Sequence, residues 1–248
     1  MNTSTPMKVT FHLSSPMSDP AHPIHLDGLL AWAYVESLTD DSQCKTIDDA
    51  RRALPLDKFD THDHYPIWKA SILECGLRGG MIGAETKRML LRKTDVEQMS
   101  VLKEKGMFSD RKSSGFDANP FSGDQLNGSS GWARNFQEFY PIKDYATATA
   151  YCVGNMDAVK LLLDKIKWVG KRGVRGHGKV VRVDVIEDES AHTLCLKRAL
   201  PLDFFVENMP SNYYRALTTV CNPYWDSSLR VHGWLPNKSV DWQPKIAA

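Results

Sequence analysis

Residues 8–13 alternate strictly, with Val9, Phe11 and Leu13 apolar and Lys8, Thr10 and His12 polar, a period of two that predicts a strand with one face against a core. Pro16, Pro20 and Pro23 then interrupt regular structure. From Leu26 the period lengthens. Leu26, Leu29, Leu30, Ala33 and Tyr34 fall on one helical face, and Asp27 sits in the first turn, where a carboxylate complements the helix dipole. Residues 65–74 read as a buried strand, with Tyr65, Ile67 and Ser71 facing one way and Trp68, Ala70 and Ile72 the other. A turn is predicted at Gly76, Gly79, Gly80 and Gly83, and a strand leading into a short helix at 95–105 follows. Segment 109–131 carries Gly115, Gly123, Gly128 and Gly131, many serines and almost no aliphatics, so it buries too little surface to offset its ordering entropy and is predicted to be mobile.

A β-type run returns at 146–153. Met156, Val159, Leu162, Leu163 and Ile166 then mark an amphipathic helix over 156–168, with Asn155 placed to cap it. Residues 180–186 alternate as a further strand. The order strand, helix, strand, strand, helix, strand predicts an α+β class and a ferredoxin-like (RRM-like) unit, with helices on one face of an antiparallel sheet and the other face free. That core is expected over 1–190 with an insertion at about 76–135. Residues 191–248, with Pro201, Pro210, Pro223 and Pro236, form a smaller strand- and turn-rich C-terminal lobe. No repeat of solenoid period is present.

A length of 248 residues suits one large domain or a core with a sizeable insertion. Cys44, Cys75, Cys152, Cys195 and Cys221 form no CxxC pair and are odd in number, which points to reduced thiols in a cytoplasmic protein. Residues 1–7 hold no apolar signal core, and no apolar run is long enough to span a membrane, so no membrane partner is expected. A formal net charge of +1 is too small for a generic nucleic-acid coat, so any electrostatic footprint must be local.

It is local. Lys167, Lys171, Arg172, Arg175, Lys179 and Arg182 crowd residues 166–182, which contain no acid. Within them Gly170, Gly173, Gly176 and Gly178 permit unusual dihedrals and close approach. Backbone N–H groups and planar guanidinium forks could therefore converge on a phosphate, with Lys171, Arg172, Gly173, Arg175, Gly176, His177, Gly178 and Lys179 as the candidate RNA-binding residues. The alternative is a tight turn with solvated charges. Gly173, Gly178 and Lys179 nearly satisfy a nucleotide P-loop, but Val180 stands where the magnesium-binding Ser/Thr belongs, and a helix precedes where a strand should. Nucleotide hydrolysis is rejected, and no cofactor is expected.

A glycine-rich basic loop between the last helix and last strand of a ferredoxin-like unit resembles the RAMP superfamily of CRISPR-associated proteins. Residues 23–33, Pro-Ile-His-Leu-Asp-Gly-Leu-Leu-Ala-Trp-Ala, are similar to the opening of the type IV CRISPR Cas-five-like subunit. The resemblance implies a subunit that binds the 5′ handle of a guide RNA (crRNA) and caps the foot of an effector complex. It would contact backbone and large subunits, and target DNA only through the complex. It also implies a thumb-like element, for which 76–132 with Lys87, Arg88, Arg92, Lys93, Arg111 and Lys112 is the candidate. Trp132, Phe136, Phe139 and Tyr140 could stack on bases or simply pack in a core.

Relatives within that superfamily cut RNA by general acid–base chemistry, so a metal-independent endoribonuclease using His25 or His177 is the alternative function. A third reading is an interaction subunit whose basic loop binds an acidic protein. The candidate histidines do not converge in sequence, and the chain is expected to have no catalytic residues. His62, Asp63 and His64 could be metal ligands, but no third or fourth ligand lies near, and a polar turn is the preferred reading.

Overall fold

The computed structural model describes residues 4–18, 22–37, 53–59, 66–89, 121–122, 125–126, 136–171, 173–204, 212–224 and 226–237, with backbone alone for 79–140. The chain forms two compact units, one of residues 1–82 with 143–248 and one of residues 83–142.

In the first unit, β1 (Thr5–Leu13) alternates as its sequence requires. Met7, Val9, Phe11 and Leu13 are buried, and each contributes about 1.5–3 kcal/mol of apolar burial. β1 is the central strand. It pairs antiparallel with β6 (Phe136–Gly154) on one edge and with β7 (Val180–Glu187) on the other. β2 (Met17–Ser18) and β3 (Glu74–Met89) also pair with β6. The order across the sheet is therefore β7, β1, β6, β3. Helices α1 (Leu26–Glu36) and α2 (Met156–Leu163) pack on each other, and Leu26, Leu30, Ala33, Val159 and Leu163 share one core cluster with Val9, Phe11, Ala148 and Ala150. Asn155 caps α2 as its sequence predicts, its side-chain oxygen accepting from the Ala158 amide at 3.0 Å.

Three expectations are corrected. Of the strand expected over 65–74, residues 67–73 are buried apart from Lys69 but form no continuous strand, because their backbone groups are shared among several neighbours. The Ser71 amide donates to Tyr151, that of Ile72 to Lys197 and that of Leu73 to Ile24, leaving only isolated bridges such as Ala70 with Cys152. The strand starts at Glu74 instead, and Gly76, Gly79, Gly80 and Gly83 lie inside it with no turn. A Cβ on Gly76 would come 2.8 Å from Thr147 Oγ1, so close approach of two strands explains that glycine. Finally, α2 stops at Leu163, short of 168, because Lys165 and Ile166 close onto Leu162 and Leu163 in a tighter i to i−3 turn.

Within the same unit, β8 (Leu200–Pro201), β10 (Arg230–Pro236) and β9 (Tyr213–Thr219) make a second antiparallel sheet in that order, after the short α3 (Ala191–Leu194). A satellite core of Ile67, Leu200 and Tyr213 lies under it. In the second unit, β4 (Phe121–Ser122) and β5 (Gln125–Leu126) pair within the stretch predicted to be mobile; the rest of 109–131 and the short helix at 95–105 lie outside the described residues. Cys152, Cys195 and Cys221 are buried and Cys75 is half-buried, none of them in a disulfide, while Cys44 lies outside the described residues. No helix among the described residues is long and apolar enough to cross a membrane.

Candidate nucleic-acid interface

The glycine-rich segment leaves α2, makes one 3-10 turn at Gly173–Arg175 and enters β7. Its base is fastened to the β1–β2 connection. The Gly178 amide donates to the Pro16 carbonyl at 2.9 Å, and the Lys179 amide to Ser15 Oγ at 2.8 Å. Ser15 Oγ in turn donates to the Gly176 carbonyl at 2.6 Å, and Val169 donates to the Gly178 carbonyl at 2.8 Å. This base dictates its glycines. Gly178 has φ +63, and a Cβ there would lie 1.9 Å from the Val169 carbonyl oxygen, a position no other residue can occupy without displacing backbone. Gly176 has φ +88 but faces open space.

Above that base Lys171, Arg175 and Lys179 are exposed, as is Lys167 before the loop. The sequence suggested backbone amides as phosphate ligands. Those of Gly176, Gly178 and Lys179 already bond within the protein, so at these positions the backbone is committed to the loop's own anchorage and only side chains remain to meet a ligand. His177 is half-buried, Gly173 packs against the Trp168 ring, and Arg172 lies outside the described residues.

The sheet face away from the helices begins two residues beyond the loop. Here sits a polar cluster that sequence reading missed: His12 Nε2 and Asp184 Oδ2 are 2.8 Å apart, and Arg182 Nη2 reaches the same Asp184 oxygen at 3.0 Å and His12 Nε2 at 3.2 Å. The signal was available, because His12 and Arg182 are polar positions of two alternating strands; only their pairing was not. Lys8, Thr10 and Tyr151 occupy the same face by register.

A second unforeseen cluster is buried. Arg198 and Asp27, both with fully buried side chains, are 3.3 Å apart. The Arg198 guanidinium also donates to the carbonyls of Ala70, Ala199 and Val220, at 3.2, 3.3 and 3.0 Å, to that of Trp68, and to the Tyr224 hydroxyl at 2.6 Å. The Tyr224 hydroxyl donates to the Asp27 carboxylate. His25 stacks on Tyr224 at 3.8 Å, and burial, reinforced by the Arg198 charge, pushes its pKa well below the usual imidazole range. Asp27 is thus more than a dipole residue. Its traces in the sequence were a carboxylate among the apolar positions of α1 and an arginine just before Ala199–Leu200–Pro201, two features that only the tertiary fold connects.

Of the remaining candidates, Lys87 and Arg88 lie in β3 with backbone alone described, and Arg92, Lys93, Arg111 and Lys112 lie outside the described residues. Phe136, Phe139 and Tyr140 fall in β6, again with backbone only, and Trp132 lies outside. So do His62, Asp63 and His64. Among the described residues no group of three His, Cys, Asp or Glu could hold a metal ion.

A comparison with curated proteins finds no match. The family model of the CRISPR type IV associated protein Csf3, however, matches residues 5–236, a span running from β1 through β10 and so including the loop, the sheet cluster and the Arg198 network. The chain belongs to the Csf3 family of CRISPR type IV associated proteins.

Proposed function

We propose that this protein is a non-catalytic RNA-binding subunit of a type IV CRISPR effector complex, holding the 5′ handle of the guide RNA through the basic loop at 170–179. The observation that carries the reading is the loop itself: a stiffly anchored base in which Gly178 tolerates no side chain, presenting Lys171, Arg175 and Lys179 to solvent in a segment without acids. Anchored cations lose less entropy on gripping a phosphate than cations on a floppy strand. Sheet order β7, β1, β6, β3, with α1 and α2 as the two crossovers, supports a ferredoxin-like RAMP core for the subunit. The strands correspond in chain order to four, one, three, two.

In this reading the backbone and large subunits of the complex are its protein neighbours, and target DNA meets it through the assembly. Residues 83–142, the second compact unit, take the part of the thumb-like element. The endoribonuclease alternative draws little support from His25, which is buried, stacked on Tyr224 and held neutral. The test is direct binding of the purified chain to its cognate repeat RNA, compared with a Lys171→Ala/Arg172→Ala/Arg175→Ala variant. The reading expects at least a tenfold loss, roughly 0.5 kcal/mol or more per removed cation. Unchanged affinity would defeat it, and cleavage of the RNA by the wild-type protein would favour the enzyme.

A further inference from the structure

Trp168 stands two residues before the glycine-rich loop and is 37 % exposed, although Ile166 and Val169 on either side of it are buried. Its segment runs antiparallel to the start of β7. Val169 donates to the Gly178 carbonyl at 2.8 Å and Val180 to the Lys167 carbonyl at 2.9 Å, and between these bonds Trp168 and Lys179 face each other as an isolated bridge. Theirs is the non-hydrogen-bonded arrangement, in which the Cα atoms approach to about 4.5 Å and the two side chains leave the same face side by side. The 3-10 turn also closes on the indole. A Cβ at Gly173 would meet Trp168 Cβ and Cγ at 2.7 Å and Cδ1 at 3.2 Å, so glycine is what lets the chain between Lys171 and Arg175 come this near. Those contacts fall at the attached end of the side chain, and any apolar residue could supply them. They give no reason for a large ring to remain more than a third open to water beside the exposed Lys171, Arg175 and Lys179.

We propose that Trp168 is a stacking platform for one unpaired nucleobase of the RNA, set beside the phosphate that Lys179 receives; the inference rests on RNA binding by the loop. The pairing of chemistries selects the occupant. Cations beside an open π face match a ligand that joins an anion to a flat ring, and every nucleotide of a single strand does so. An acidic peptide would satisfy the cations and leave the ring without a partner at most positions. The buried neighbours Ile166 and Val169 hold the backbone of Trp168 in place, so little freedom is lost when a base settles on the indole. Stacking of this kind accepts any base, because each has a π face, and it favours an unpaired strand over a duplex, whose bases already stack on one another. Trp168 therefore adds affinity for single-stranded RNA at a position where the cations alone would hold any polyanion.

The experiment measures binding of the full chain, by fluorescence anisotropy, to its cognate repeat RNA and to an abasic ribose-phosphate chain of the same length. Trp168→Leu keeps an apolar side chain against Gly173 and removes the ring. It is expected to lose about five- to hundredfold on the repeat RNA while binding the abasic chain as the wild type does, with an unchanged salt slope. Trp168→Phe is expected to recover part of the loss. The abasic chain reads the cations alone, so salt-dependent wild-type binding with no base-specific loss in Trp168→Leu overturns the platform and leaves the loop's grip standing. Absence of wild-type binding to both chains overturns the two together. Equal losses on both chains also overturn the platform, by reducing Trp168 to a support for the loop, as does tighter binding of a Glu/Tyr copolymer than of the RNA, which would give the surface to an acidic protein.

Discussion

Arg198 and Asp27 stand 171 positions apart in the chain, yet their side chains meet at 3.3 Å with no solvent exposure, joining the start of the first helix to the segment just before β8. Two charges taken out of water are held there by several further hydrogen bonds from Arg198 and by the Tyr224 hydroxyl on Asp27. Removing one partner strands the other. Asp27→Asn or Arg198→Met should therefore lower unfolding free energy by about 3–5 kcal/mol, measured by urea denaturation. A loss well under 1 kcal/mol would show that the pair is not the clamp described.

His25 gives this clamp a pH dependence. Its folded pKa lies below the ordinary 6.5, chiefly through burial and secondly through the Arg198 cation. Below about pH 6.5 the unfolded chain takes up a proton that the folded protein refuses, so this contribution is complete above that pH and declines as pH falls. Between pH 7 and pH 5 the wild type should lose more stability than His25→Phe. Parallel decline of the two proteins would contradict a neutral, buried imidazole.

The loop's glycines are not equivalent. Gly178→Ala places a methyl group against the Val169 carbonyl and should cost several kcal/mol and the loop's anchorage together. Gly176→Ala meets open space and should cost only the left-handed backbone penalty, about 1–2 kcal/mol. Thermal melts of the two variants, run beside RNA binding, should rank them in that order for both properties.

On the open sheet face Asp184 draws both Arg182 and His12 toward itself. If the RNA path continues from the loop along this face, Asp184→Ala should strengthen RNA binding by about two- to fivefold at low salt, an effect that fades as ionic strength rises. Fluorescence anisotropy at two salt concentrations measures it, and weaker binding of the variant would direct the strand elsewhere.

Elements with a strong private pattern were legible in the sequence. The alternation of Val9, Phe11 and Leu13, the helical spacing from Leu26 and the cap at Asn155 each carry their own physical instruction, and the structure follows them. Residues 67–73 misled because burial was read as a ladder, when their amides in fact serve Tyr151, Lys197 and Ile24, partners set only by the assembled fold. The glycines from Gly76 onward misled for a related reason: the close passage of Thr147 is invisible in one dimension. The loop's basic and glycine content marked it as a candidate site, but its use of three amides for its own anchorage, and the meetings of His12 with Asp184 and of Asp27 with Arg198, depend on segments far apart in sequence.

The most direct measurement is the salt dependence of repeat-RNA binding by the wild type and by Lys171→Ala/Arg175→Ala/Lys179→Ala. If each cation holds one phosphate of a single strand, the slope of log K against log salt should shrink by about 0.7 per cation, roughly two units in total. Identical slopes for the two proteins would contradict the phosphate-gripping loop.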